Sequence, residues 1–196
     1  AGNATIIGLV LTMLCCIVLG MGVPTTANYC IMASTCAPIL IQLGFPVVAA
    51  HFFVFYFGIV ADITPPVALA AYAGSAIAKS PPMKTALNAS RLAIAAFLVP
   101  YVFALNPAML FIDTVWYEVV LIVLSSFIGM ISISVAMEGY LIHEVNPLGR
   151  ILCAAGGLAL LIPGTLSDLA GLAALAIVLV AQIIENKRRK SQASET

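Results

Sequence analysis

Hydrophobic residues run through this chain in long blocks, and polar residues gather at a few points between them. The first block, Thr5–Leu19, is about 22 Å long as a helix, short of the ~30 Å hydrocarbon core of a bilayer. A stretch rich in turn residues and hydroxyls follows, Gly20-Met21-Gly22-Val23-Pro24-Thr25-Thr26-Ala27-Asn28. A second short block, Tyr29–Gln42, leads to Gly44-Phe45-Pro46. Two short apolar arms around a Gly/Pro/Thr tip predict a re-entrant hairpin over 5–42, with a pair of tightly joined full spans as the alternative.

The next block, Val47–Ala78, is roughly 48 Å long as one helix, more than a single span requires. Its middle holds Asp62-Ile63-Thr64-Pro65-Pro66. Proline has no N–H, and its ring clashes with the carbonyl one turn back, so a helix entering this stretch stops and restarts. The block therefore predicts a broken helix over 47–78. Irregular backbone at membrane depth is tolerated only where it is buried in protein or lines a wet cavity. The second half of the block is dominated by small residues, which let helices approach closely in a membrane, and Ser80-Pro81-Pro82 closes it.

Residues 79–90 read as a cytoplasmic interfacial linker, and 91–187 as additional transmembrane helices. Four spans are expected there: Leu92–Ile112, Val115–Leu141, Ile151–Ile162 and Leu169–Ile184. Pro100 and Pro163 read as kinks, and Trp116 and Tyr117 as an interfacial anchor. Glu138, near the end of its span, is expected to reach an interface. Residues 188–196 form a cytoplasmic tail, with Ser191–Thr196 expected to be disordered.

Composition turns this pattern into a fold class. The chain has 196 residues, 63% hydrophobic and only 8% charged, against about 25% charged in a soluble domain. The side chains needed to coat a water-facing surface are missing, so the chain is an all-α integral membrane protein. A formal net charge of zero argues against nucleic acid as a partner. Cys15, Cys16, Cys30, Cys36 and Cys153 all lie in apolar runs and read as buried, inert thiols. The first residue is Ala, and no basic segment precedes the first apolar run. The chain is read as the C-terminal part of something longer, with the missing N-terminal part as a partner.

Charge also gives direction. With Lys187-Arg188-Arg189-Lys190 placed inside, alternating the spans backwards puts Arg150, Arg91, Lys84 and Lys79 on the cytoplasmic side too. Asp113 and Asp168 fall in outer loops. The expected topology is a multi-pass membrane protein with its C-terminus cytoplasmic.

The two breaks carry the candidate chemistry. Pro24 and the pair Pro65-Pro66 suit the first turn of a restarted helix, and Thr64 can cap the second one. The amides near Thr26–Asn28 and Val67–Leu69 are then unpaired and electropositive, an anion site if they converge. Helix ends near Leu19–Gly20 and Val60–Asp62 offer free carbonyls suited to a small cation. This arrangement is shared by secondary transporters. Asp62 either ligates an ion or hydrogen-bonds the freed amides and holds the break open. His51 reads as an interfacial histidine rather than a proton carrier, and His143-Glu144 as a solvated loop pair. HExxH, GxSG, GxGD and Walker patterns are absent, which speaks against an enzyme.

At these motifs the chain resembles a family. Gly20-Met-Gly-Val-Pro-Thr-Thr-Ala27, His51-Phe-Phe-Val-Phe-Tyr-Phe-Gly58 and Asp62-Ile-Thr-Pro-Pro-Val-Ala-Leu-Ala-Ala-Tyr72 are similar to the large membrane subunit of TRAP transporters, in particular to fused permeases of the TAXI type. The likeness is dense over 11–78 and weaker beyond. It implies an elevator-type fold of two inverted repeats, with 1–78 as the second repeat's half of the transport domain, followed by further transmembrane helices. It implies uptake of an organic acid delivered by a periplasmic solute-binding protein, with Na⁺ as coupling ion and no other cofactor. Membrane lipid would surround the chain.

By that resemblance Pro24, Thr25, Thr26, Asn28, Thr64, Pro65 and Pro66 would line the substrate site. Gly20, Gly22, Thr26, Gly58, Asp62 and Thr64 would line the Na⁺ site, the glycines by permitting close backbone approach. Two other readings stay open: an H⁺-coupled carrier working through Asp62, and a non-transporting membrane scaffold.

Overall fold

The computed structural model describes residues 2–112, 114–162 and 164–193. Helices account for most of it, and among the described residues no strand forms beyond an isolated bridge between Tyr140 and Glu144. The chain divides into two compact units, Ala1–Asp113 and Thr114–Thr196.

In the first unit, α1 (Gly2–Gly20) is followed by α2 (Thr25–Thr35) and α3 (Ala37–Gln42). The second arm is thus two helices, parted at Cys36 just before Pro38. The arms lie antiparallel. A Cβ on Gly8 would meet Leu43 Cδ1 at 2.5 Å, and one on Gly20 would meet Asn28 Nδ2 at 2.8 Å, so early α1 lies beside the end of α3 and the two arms close at the tip. Leu9, Cys16, Met32 and Leu40 of the hairpin are buried against Phe53 and Phe57 of α4 (Val47–Val60). Cys15 and Cys30 lie on exposed faces, while Cys16, Cys36 and Cys153 are buried, so the expectation of burial holds for three of the five thiols.

The predicted broken helix is present. α4 ends at Val60, a 3₁₀ turn spans Ala61–Ile63, and α5 runs over Leu69–Ala78. α6 (Pro82–Leu92) then folds back along α5, with Ser80 Oγ 2.8 Å from Thr85 Oγ1 at the connection. Ala86 is buried against Ala68 and Ala71. α7 (Ile94–Leu105) follows after the single residue Ala93 and runs antiparallel to α4. The ring pairs Phe57–Phe97, Phe53–Tyr101 and Phe52–Phe103 step in opposite directions along the two helices, and edge-on packing of this kind adds to area burial. The span expected over Leu92–Ile112 ends earlier, at Leu105, with a 3₁₀ turn at Pro107–Leu110. Pro82–Leu105 as a whole is long and apolar enough to cross a membrane. Pro100 sits inside α7.

The second unit contains α8 (Trp116–Glu138), α9 (Pro147–Leu161) and α10 (Thr165–Ala193). Glycines set its helix contacts. A Cβ on Gly157 would meet Gly129 O at 2.8 Å, and one on Gly171 would meet Gly156 O at 2.7 Å, so backbone touches backbone at both crossings. Buried Ser132 donates to Cys153 O at 2.7 Å. Arg150 closes the C-terminus of α8, its Nε donating to Ala136 O and its Nη2 to Met137 O, as a cation at a helix C-terminus should.

Several expectations change here. Asp168 lies in the first turn of α10 rather than in a loop. Ser191–Ala193, expected to be disordered, are helical, and 194–196 lie outside the described residues, as do Asp113 and Pro163. His143 is not a solvated residue. Its side chain is 11% exposed, with Nδ1 3.0 Å from Glu144 O and Nε2 3.2 Å from Gln182 O. Gln182, buried in α10, accepts from His143 N and donates to Glu144 O, tying the 140–144 turn to that helix.

Candidate functional site

The hairpin tip is a tight backbone device. Val23 N reaches back to Gly20 O at 3.4 Å, and Gly22 takes φ +75, a conformation open to glycine at little cost. Pro24 is the N-cap of α2, one residue before the first turn expected for it. Asn28 N donates to Pro24 O at 2.9 Å. The amides of Thr25, Thr26 and Ala27 therefore form the leading end of α2. Pro24, Thr25 and Thr26 lie on the exposed surface of the tip.

The break differs from its sequence reading in local detail. Thr64 does not cap α5. Its hydroxyl points back and donates to Val60 O at 2.7 Å, while its amide bonds Ala61 O at 3.2 Å. The Val60 and Ala61 carbonyls, expected to be free, are thus paired within the chain. Pro65 and Pro66, joined by a cis peptide bond, precede α5 rather than occupy its first turn. The N-cap of α5 is Ala68, held at φ +38 and ψ 47, with its amide bonded to Thr64 O at 3.1 Å. Tyr72 Oη donates to Pro66 O at 2.6 Å, and Ser90 Oγ to Ile63 O at 2.9 Å. Asp62 is half-buried, and no described residue hydrogen-bonds or ion-pairs with its carboxylate.

The two breaks meet. Asn28, 2% exposed, donates from Nδ2 to Gly58 O at 3.2 Å across 30 residues. A Cβ on Gly20 would sit 2.9 Å from Ala61 Cβ and 3.1 Å from Gly58 O, and one on Gly58 would sit 3.0 Å from Asn28 Nδ2. Gly20 and Gly58 are therefore the close-approach glycines. Gly22 serves differently, through its positive φ, and a Cβ there would have only Val67 Cγ1 near, at 3.9 Å. Asn28 Oδ1 is buried and has no hydrogen-bond partner among the described residues. Buried polar atoms are nearly always paired, which sets this oxygen apart from the other polar atoms at the contact.

The described residues hold no cluster of three His, Cys, Asp or Glu. A cation at this site would be met by neutral oxygens and at most one carboxylate. Sequence reasoning missed three contacts around the site: the Asn28–Gly58 bond, the Ser90–Ile63 bond, and Tyr29 Oη 3.0 Å from His51 Nδ1. The last pair lines an open cavity of about 290 Å³ with Phe52 and Phe55. No local pattern announces any of the three, because each joins residues on different helices.

A hairpin whose tip meets a proline-broken helix, in an all-α chain with helices long enough to cross a bilayer, makes a multi-pass membrane protein with a break of the kind found in secondary transporters. The family model described as "Tripartite ATP-independent periplasmic transporter, DctM component" matches residues 1–118, and the chain belongs to this family, a transporter component rather than an enzyme. No curated protein and no solved structure matches the chain. The match takes in both breaks and the whole first unit, while most of the second unit lies beyond it.

Proposed function

We propose that this chain carries half of an ion-coupled transport site, with Na⁺ bound where the hairpin tip meets the broken helix. The observation that carries this reading is Asn28 Oδ1, a buried amide oxygen without a partner among the described residues. Such an oxygen is a neutral, hard ligand of the kind Na⁺ takes. Gly20 and Gly58 lie against the Asn28 amide nitrogen, and Ala61 lies beside Gly20, at the proposed ion site. Gly22, Thr26, Asp62 and Thr64 lie on the two segments that bound it.

The substrate in this reading is an organic acid anion. Its carboxylate would face the leading ends of α2 and α5, where first-turn amides and the helix dipole favour negative charge. Pro24, Thr25 and Thr26 are exposed on the tip and Pro65 and Pro66 stand beside Thr64 at the break, so these residues are open to a ligand or a second transport-domain half. A periplasmic solute-binding protein of the TAXI type would deliver the substrate, and a small membrane subunit, separate or fused, would complete the complex. The location proposed is a bacterial inner membrane with the C-terminus cytoplasmic.

A proton-coupled variant is favoured by one observation: the Asp62 carboxylate is half-buried and lacks a partner among the described residues. Uptake by the intact permease in proteoliposomes, with its binding protein and separate Na⁺ and H⁺ gradients, decides between the two. The Na⁺ reading expects Asn28→Ala to weaken Na⁺ dependence strongly. Uptake by Asn28→Ala with an unchanged Na⁺ response would sink it, and loss of H⁺ drive in Asp62→Asn alone would select the proton.

A further inference from the structure

We propose that Ser90 is a positioning residue for the transport site, acting through the carbonyl of Ile63. The need for such a residue follows from the backbone. In a helical or 3₁₀ course the Asp62 carbonyl would accept from residue 65 or 66, and the Ile63 carbonyl from residue 66 or 67. Residues 65 and 66 are both proline and have no N–H. The two prolines therefore remove both local donors of Asp62 O and one of the two for Ile63 O. The chain also turns extended at Thr64, φ −102 and ψ 126, which carries the amide of Val67 away from a helical path.

The missing donor comes from another helix. Ala86, Ala89 and Ser90 form one stripe of α6 at i, i+3 and i+4. Ala86, fully buried, packs against Ala68 and Ala71 just past the break. That contact brings Ser90 Oγ to 2.9 Å from Ile63 O and 3.1 Å from Ala86 O. A hydroxyl has one hydrogen to give, and Ile63 O is the acceptor whose local partner the prolines removed. Ser90 supplies the bond that Pro66 cannot, and so fixes the peptide that follows Ile63. Asp62 O loses both local donors, and no partner replaces them among the described residues. Helix α6 is in this way part of the site and more than a connection between spans.

The proposal rests on the ion-coupled reading, and its test keeps the two separable. Uptake by the intact permease in proteoliposomes is measured against Na⁺ and substrate concentration for wild type, Ser90→Ala and Ser90→Thr. Hydrogen exchange over residues 61–72 is followed on the same samples. Loss of one hydrogen bond at the break is expected to raise the half-saturating Na⁺ concentration roughly threefold to tenfold. The effect falls on half-saturation more than on maximal rate. Faster exchange over 61–72 accompanies it, and Ser90→Thr restores both.

Ser90→Ala with wild-type half-saturation overturns the proposal, whether or not exchange rises. A Ser90→Ala defect that Ser90→Thr fails to repair also overturns it. Should wild-type uptake ignore Na⁺ altogether, the ion reading fails on that result alone. Ser90 is then judged on substrate half-saturation, where equality with wild type overturns its role.

Discussion

Asn28 and Gly58 are joined by a 3.2 Å hydrogen bond from the Asn28 amide nitrogen to the Gly58 carbonyl. This bond ties the hairpin to the helix that breaks, one turn before the break itself. Because Asn28 is 2% exposed, neither partner can turn to water if the other is removed. Asn28→Ala should lower the stability of the permease by about 1–3 kcal/mol. Asn28→Asp should cost more at neutral pH in Na⁺-free buffer, since it loses the donor and buries a charge with no cation beside it. Thermal unfolding in detergent, read as the difference between the two variants, checks the order. Asp equal to or better than Ala would contradict it.

Gly20 and Gly58 hold the tip against the break by having no side chain. At Gly20 an added methyl would meet Asn28 Nδ2 at 2.8 Å, Ala61 Cβ at 2.9 Å and the Gly58 carbonyl at 3.1 Å. At Gly58 the nearest atoms are Asn28 Nδ2 at 3.0 Å and the flexible Met32 Sδ at 3.2 Å. Gly20→Ala should therefore be the more damaging change, by about 1–3 kcal/mol of overpacking, and should impair uptake more than Gly58→Ala. Parallel measurements of melting temperature and uptake rate test the ranking.

Ala68 occupies left-handed backbone at φ +38 and is fully buried beside Ala86. Left-handed conformation costs an L-residue roughly 1–2 kcal/mol. Ala68→Gly relieves that strain but loses a buried methyl and gains unfolded-state freedom, so the net change should stay within about 1 kcal/mol. Ala68→Val adds a β-branched side chain where both backbone and space oppose it, and should cost more than about 2 kcal/mol. A milder Val than Gly variant in an unfolding assay would show the φ assignment to be wrong.

Gln182 holds the 140–144 turn from the second unit's last helix, accepting from His143 N and donating to Glu144 O. Gln182→Leu keeps the bulk and removes both bonds. The turn should become more open to proteolysis and exchange, with helices α8 and α9 much less affected. Limited proteolysis with peptide mapping, or hydrogen exchange over 139–146, would register it. Protection equal to wild type across that turn would mean that the Gln182 bonds do not hold it.

Much of this architecture is legible in residue order. The break at 62–66 is chemically compelled, because two adjacent prolines take N–H groups out of any helix that tries to continue. The tip at 20–24 follows from Gly22 and Pro24, which respectively allow a positive φ and end the local donor ladder. Length and apolarity point to the membrane for the same kind of reason, since they count properties of single residues.

Partner choice was not legible, because it depends on which residues the fold brings together. Thr64 looks like an N-cap in sequence, yet its hydroxyl turns back to Val60, since α5 starts only at Leu69 after the proline turn. His143 looks like a loop residue, yet packing of α10 against the turn leaves its ring between two carbonyls. Asn28 reads as one polar residue among several at the tip, and only the antiparallel hairpin against α4 makes it the buried one. Ser90 carries no signal at all until α6 folds back along α5. Residue order by itself determined that the chain lives in a membrane, and where it must break, because both follow from local chemistry. Tertiary structure alone decided that the two breaks meet, because that requires contacts across 30 residues of sequence.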